Sequence, residues 1–415
     1  MNLKGKKISV LGLGESGFQT AFFLRKQGAR LWVSDSGDNE KLRERKDALD
    51  KARIPCEIGK HTIENIVDAS LVVISPGISP QSDIYRMLHK EQVEIISEIE
   101  LAFRYFSGDV IAVTGTDGKT TVTNLIKEIL CKLGKNAVSC GNIGNPFIGE
   151  IDNLRPDSIV VLEVSSFQLY HIKKFRPHVA VLLNIAPDHL DWHYNFKDYV
   201  DAKNKLIQNQ TATDYAILNF QDEETNKFLC RIKSRKLFFN QFQSDLDSNR
   251  EAALLICDVY KLDKKIGESV VRKFPGLEHR MEYVPSGDKL IYINDSKSTS
   301  LHSLIWALNS VKKKVILICG GRNKGLDFTS VCSLIHERVK CAVILGEARE
   351  EIVYAWKDHV LCIPVSDIRE AVNAARGQAQ EGDIILFSPA CTSFDMFSSY
   401  KERGCVFKNI VADKS

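Results

Sequence analysis

A chain of 415 residues that is 44% hydrophobic and 26% charged is too long for one ordinary core and reads as a globular protein of two to four domains. Its formal net charge of +3 gives no reason to expect nucleic acid. Eleven scattered cysteines without a C-x-x-C pair argue for reduced thiols rather than a disulfide framework or a zinc site, and no run approaches the ~18 apolar residues of a membrane span.

The opening "MNLKGKKISVLGLG" enters a strand directly and lacks the apolar region of a cleavable signal, so a cytoplasmic protein is expected. Short β-branched runs then alternate with helical patterns: "KISVLGLG", "ARLWVSD", "SLVVISPG", "DVIAVTG", "SIVVLEVS", "HVAVLLNI", "KLIYIND", "KKVILICGG", "CAVILGE" and "DIILFSP". Mostly apolar runs of this length are what parallel strands buried on both faces require, so the chain is predicted to be α/β throughout. Three blocks separate, at 1–97, 98–276 and 277–415, the second boundary being marked by Pro275 and Gly276. The stretch "FNQFQSDLDSNR" is polar, fits no period and receives no predicted element.

The first block carries Gly12-x-Gly14-x-x-Gly17 between a strand and a helix, with Asp35 at the end of the next strand. That is a dinucleotide fingerprint: a diphosphate at a helix N-terminus and a carboxylate for a ribose. Read alone, it supports a nicotinamide-dependent oxidoreductase.

The second block opens with "AVTGTDGKTTVTNL". Gly115-x-x-Gly118-Lys119-Thr120 is shorter than the usual phosphate loop, whose first glycine would stand where Val113 is. The physics is the same. Two glycines let backbone N–H groups approach an anion, Lys119 adds a cation, and Thr120 or Thr121 offers a hydroxyl to a magnesium ion. Downstream, Glu163 ends a strand, His189 follows the next strand, and Lys203 falls on a predicted helix. A carboxylate and an imidazole at neighbouring strand ends can hold divalent metal beside a nucleotide. An oxidoreductase has no use for this set, nor a simple nucleotide switch for the motifs that follow.

Taken together, "TGTDGKTT", "GNIG", "LEVSSFQL", "NIAPDHLDWH" and "AKNKLI" resemble the Mur ligase superfamily. "FPGLEHRME", "INDSKSTS", "GGRNKG" and "SPACTSFDMF" are similar to its D-glutamate-adding members. The resemblance implies three domains: a Rossmann-like UDP-binding domain, a central P-loop-type ATPase domain and a C-terminal Rossmann-like domain. It also implies a cytoplasmic, monomeric enzyme that joins D-glutamate to UDP-N-acetylmuramoyl-L-alanine through an acyl phosphate, with ATP as co-substrate, two Mg²⁺ ions and closure of the third domain on the second.

By the same resemblance, Gly115, Thr116, Asp117, Gly118, Lys119, Thr120 and Thr121 serve the ATP phosphates. Asn249, Arg280, Asp295 and Lys297 serve the rest of the nucleotide, with His279 beside them. Thr120 and Glu163 hold one metal and His189 a second, supported by Lys203 as a carbamylated lysine. Glu15, Ser16, Asp35, Ser36, Ser75, Pro76, Gly77, Asn142, Ser165 and Gln168 take the UDP-substrate. Thr299, Lys324, Ser393, Phe394 and Tyr400 take D-glutamate. Two features depart from the family. Asp117 stands where asparagine is expected, and the segment before Asn249 lacks a G-x-H-N-like motif and the extra strands that carry it.

Overall fold

The apolar runs of the sequence become strands with buried faces, each feeding a helix that covers the sheet. The computed structural model describes residues 2–323 and 325–413, and the chain divides into two units, Met1–Phe274 and Pro275–Ser415.

The first unit contains two parallel sheets. Strands β1 (Lys7–Leu11), β2 (Arg30–Asp35), β3 (Cys56–Ile58), β4 (Leu71–Ile74) and β5 (Ile95–Ser97) are ordered β3-β2-β1-β4-β5. The strand order reverses between β1 and β4, which opens a crevice beyond their C-terminal ends. Strands β6 (Asp109–Thr114), β7 (Ala137–Gly141), β8 (Ile159–Glu163), β9 (Val179–Leu182), β10 (Tyr215–Asn219) and β11 (Arg235–Phe239) follow in the order β11-β10-β9-β6-β8-β7. Every residue of β8 and β9 is buried, as strands covered on both faces demand. Register fixes the site: Val113 pairs with Glu163 on one side and with Val181 on the other, so the loop after β6 emerges between the ends of β8 and β9.

Two helices carry the remaining chemistry. The helix Lys119–Lys132 buries Val122, Leu125, Ile126, Ile129 and Leu130, one apolar stripe facing the sheet. The helix Phe196–Gln208 is capped by Asn195, whose side chain accepts from Asp198 N–H, and buries Tyr199, Leu206 and Ile207. Lys203 lies on that same stripe, four residues after Tyr199 and three before Leu206, so helical geometry takes a lysine into the interior.

Between the sheets, the helix Glu98–Phe103 follows β5 without a linker. The Glu100 carboxylate accepts the backbone N–H groups of Lys173, Lys174 and Phe175 and pairs with Arg104. Ser97 N–H also donates to His171 O.

The second unit contains β12 (Glu282–Val284), β13 (Ile291–Asn294), β14 (Val315–Gly320), β15 (Val339–Leu345), β16 (Leu361–Pro364) and β17 (Ile384–Phe387), ordered β12-β13-β17-β14-β15-β16. Only the β12–β13 pair of this sheet is antiparallel.

Candidate active site

The loop after β6 is shaped by what surrounds it. Gly118 has φ 81° and caps the helix Lys119–Lys132. A Cβ there would lie 2.3 Å from Asn249 Oδ1, and one on Gly115 would lie 2.9 Å from Leu183 Cβ. Both positions are therefore too crowded for a side chain, and Gly118 also needs glycine for its positive φ. Lys119 Nζ donates to the carbonyls of Gly115 (2.9 Å) and Thr116 (2.7 Å). Lys203 Nζ reaches the same Gly115 carbonyl at 2.8 Å.

Two lysine side chains thus converge on one peptide oxygen beside a helix N-terminus, whose N–H groups and dipole suit phosphate. Lys203 is 2% exposed. Burial, reinforced by Lys119, drives its pKa well below the usual lysine value, and its Nζ stands 4.6 Å from the centroid of the Tyr199 ring. A buried neutral amine is the nucleophilic form that carbon dioxide converts to a carbamate.

Glu163 ends β8 and is also 2% exposed. Its Oε1 accepts from Asn142 Nδ2 at 2.9 Å, while Oε2 is buried without a hydrogen-bond partner among the described residues. A buried carboxylate oxygen in that state fits a cation. His189 has φ 55°, packs its ring 4.7 Å from Phe167 and lies 3.4 Å from Asp188. Burial, opposed by Asp188 and helped by Lys119 and Lys203, keeps its imidazole pKa below the usual range, which favours the metal-binding neutral form. Among the described residues no three His, Cys, Asp or Glu side chains form a ready metal cluster. That donor set suits Mg²⁺, which takes one or two protein ligands and completes its shell with phosphate oxygens and water.

Ser165 and Gln168 are brought together as a capping box. Gln168 N–H donates to Ser165 Oγ, and Ser165 N–H to Gln168 Oε1.

The first sheet assembles a separate crevice. Gly12 has φ 87°, a Cβ on Gly17 would meet Gly12 O at 1.8 Å, and Ser75 Oγ donates to that carbonyl at 3.0 Å. Asp35 accepts Leu13 N–H at 2.6 Å and Gly37 N–H at 2.8 Å, so its carboxylate ties the loop after β2 to the loop after β1. Ser16 is half-buried at the start of the helix Glu15–Lys26, Glu15 pairs with Arg45, Ser36 is exposed, and Ser75, Pro76 and Gly77 directly follow β4.

In the second unit, β13 and β17 pair Asn294 with Phe387, which gathers the motifs that follow them. Met281 N–H and Ser388 Oγ both donate to Asp295. Lys297 N–H donates to His279 O, and Lys297 Nζ lies 5.4 Å from the Tyr400 ring centroid. Arg280 is half-buried, Thr299 and Phe394 are exposed, Ser393 is buried and Tyr400 starts the last helix. Lys324 lies outside the described residues.

Several bracing residues escape the sequence reading. Asn184 O and Oδ1 accept the N–H groups of Thr116 and Asp117 at 2.9 and 2.8 Å. Thr116 Oγ1 meets the buried Tyr199 hydroxyl at 2.9 Å. The loop after β4 is fastened to the segment following His189: Ser79 Oγ donates to Trp192 O, and Tyr194 OH to Pro80 O, each at 2.8 Å. Asn184 does follow an apolar strand, a usable signal for a site residue, whereas Tyr199 reads as a core aromatic.

Comparison with known proteins accounts for all three blocks. Residues 6–97 match the Mur ligase MurD-like N-terminal domain, 113–260 the Mur ligase middle domain, and 279–391 the Mur ligase glutamate ligase domain. The chain belongs to the Mur ligase family. Among its relatives, the UDP-N-acetylmuramoylalanine--D-glutamate ligase of Chloroherpeton thalassium is 36% identical over 461 aligned positions, covering 99% of this chain and 98% of the relative. That of Aquifex aeolicus is 37% identical, covering 98% of each. An alignment of 461 positions against 415 residues means that the first relative carries residues this Mur ligase lacks.

Solved structures of lower identity share the fold. MurF ligase of Thermotoga maritima in complex with ADP superposes with a TM-score of 0.61 at 16% identity, covering 92% of this chain and 94% of that one. UDP-N-acetylmuramate-alanine ligase MurC of the same organism gives 0.58 at 18% identity, covering 97% and 98%. No helix among the described residues of this Mur ligase is long and apolar enough to cross a membrane.

Proposed function

We propose that this Mur ligase adds D-glutamate to UDP-N-acetylmuramoyl-L-alanine at the expense of ATP, in peptidoglycan precursor synthesis. The observation that carries the reading is the near full-length identity of 35–37% to relatives that bear that enzyme's name. UDP-N-acetylmuramoyl-L-alanine and ATP are both nucleotide-bearing metabolites, which supports a cytoplasmic reaction.

The chemistry has one obstacle: a carboxylate repels an incoming phosphoryl group and resists an amine. Lys119 and the N–H groups at the start of its helix take the negative charge of the ATP phosphates, so the γ-phosphoryl group can approach the L-alanine carboxylate. The oxygen of that carboxylate attacks phosphorus, ADP leaves and an acyl phosphate forms. The D-glutamate amine then attacks the acyl carbon and loses a proton. The tetrahedral intermediate expels phosphate and an amide remains. Mg²⁺, when bound, neutralises phosphate charge and polarises the phosphoryl oxygens.

Glu163 and Thr120 are the residues that would hold one ion and His189 a second, with Lys203 as the supporting carbamate. The partnerless Glu163 Oε2 and the depressed pKa of Lys203 support these roles. The crevice of the first sheet, with Glu15, Ser16, Asp35, Ser36 and Ser75 to Gly77, takes the UDP. Asn142, Ser165 and Gln168 face the alanyl end, and Thr299, Lys324, Ser393, Phe394 and Tyr400 take D-glutamate, whose carboxylates need donors. Phosphate release from ATP is the test. Release that requires both UDP-N-acetylmuramoyl-L-alanine and D-glutamate, and falls at least a hundredfold in Lys119→Ala, is expected. Release indifferent to either substrate would sink the ligase reading.

A further inference from the structure

On one side of β6 stands Glu163 of β8. On the other, the C-terminal ends of β9, β10 and β11 carry a chain of amides. Asn219 Nδ2 donates to Leu183 O at 3.1 Å, and Asn240 Nδ2 donates to Asn219 Oδ1 at 3.0 Å. This chain belongs to the surroundings of the phosphate loop. Leu183 and Asn249 both border Gly118, and Glu251, on the same helix as Asn249, accepts Asn240 N–H at 2.7 Å.

The direction of the amides is fixed by their anchor. A backbone carbonyl only accepts, so Asn219 must turn its NH₂ toward Leu183 and its Oδ1 away. That Oδ1 accepts the N–H of Gln221 at 3.1 Å as well as the NH₂ of Asn240. Asn240 is therefore held NH₂-inward, and its Oδ1 is left on the far side, where no donor among the described residues meets it. The residue sits at φ 56°, the left-handed region that asparagine tolerates.

We infer that Asn240 reads the base of the nucleotide, its fixed outward acceptor selecting the 6-amino group of adenine over the 6-oxo group of hypoxanthine or guanine. The inference rests on reading the Lys119 loop as the ATP site. With the γ-phosphate drawn to the Glu163 side, the nucleoside leaves across β9 and β10. From β6 to β11 is three strand spacings, roughly 14 Å, which an extended nucleotide spans. Adenine offers a donor at position 6 where the oxo-purines offer an acceptor, and two facing acceptors repel. The relay supplies a polar reader in the segment where the family's G-x-H-N-like motif is missing.

Calorimetric titration of the full chain with MgADP and MgIDP tests this directly. Wild type is expected to bind ADP about tenfold more tightly than IDP, the range of one hydrogen bond. Asn240→Gly, whose positive φ suits glycine, should bring the ratio close to one, chiefly through weaker ADP. Asn219→Ala leaves the Asn240 amide free to turn over, so IDP should gain while ADP loses little. A residue that only supports the loop would weaken both nucleotides alike. An unchanged ADP/IDP ratio in Asn240→Gly, or no ratio in wild type, overturns the inference. Binding of neither nucleotide by wild type overturns the underlying ATP site as well.

Discussion

Glu163→Gln should separate stability from function. The Glu163 side chain is buried, makes one hydrogen bond through Oε1 and none through Oε2, and forms no ion pair among the described residues. Leaving such an oxygen unsatisfied costs about 1–3 kcal/mol, more when it is charged. Glutamine keeps the shape and the acceptor facing Asn142, and its NH₂ in the place of Oε2 is an unpartnered neutral group rather than an unpartnered charge. Without ligands the variant should therefore be more stable by ~1–3 kcal/mol, a rise of roughly 2–12 °C in melting temperature at about 2–4 °C per kcal/mol.

With MgATP the order should reverse. Wild type gains about 4.1 kcal/mol at a thousand times its dissociation constant, and the variant, lacking the cation's partner, gains little. Thermal melts of both proteins with and without MgATP measure the crossing, and phosphate release should fall at least a hundredfold. A variant that melts below wild type without ligands, or one stabilised equally by MgATP, would refute the reasoning.

Glu98 gives a pH prediction. Burial pushes its carboxyl up to about 7, against the pull of Ile148 N–H. The folded state then holds a proton that the unfolded state releases near pH 4.5, so this stabilisation is complete below that pH and lost as pH rises to about 7. Glu98→Gln should match wild type at pH 4.5 and exceed it by a few kcal/mol at pH 8 in denaturant titrations; equal gains at both would contradict the assignment. The proposed carbamate at Lys203 predicts that activity falls several-fold in carbon dioxide-depleted buffer and returns with bicarbonate, while Lys203→Ala is inactive and indifferent to bicarbonate. Equal wild-type rates in the two buffers would remove that role.

The sequence revealed interior strands far better than edges. Runs such as "DVIAVTG", "SIVVLEVS" and "KKVILICGG" stand out because β6, β8 and β14 are apolar on both faces. The runs left unread include β3, β5, β7, β11, β12 and β16, and these are the six outer strands of the three sheets. An edge strand has only one neighbour and is free to be short or half-polar, as β11 with exposed Arg235 and Lys236 is. One interior strand, β10, also went unread. In the candidate site, Glu163 ends an apolar strand, and Lys119 and His189 lie in the segments that follow the apolar strands β6 and β9, which is what makes them readable as candidates. Tyr199 is not readable in this way, since only the fold brings its hydroxyl to Thr116, 83 residues away. The polar stretch before Asn249 fits no period because β11 ends at Phe239 and the next helix, Ser248–Leu254, begins only after a loop capped by Asp247.

The seams between the first two sheets have a mechanical consequence. Glu100 gathers three consecutive backbone N–H groups from the segment leading into β9, while Ser79 and Tyr194 stitch the loop after β4 to the segment holding His189. Multiply bonded, far apart in sequence and anchored on the buried Glu100 carboxylate, these ties let the crevice of the first sheet and the phosphate loop of the second move as one rigid plate. Flexing along the Ser97–Glu98 join would break several of them at once. The spacing between that crevice and the phosphate loop is thereby set in the folding of the chain, before any ligand arrives.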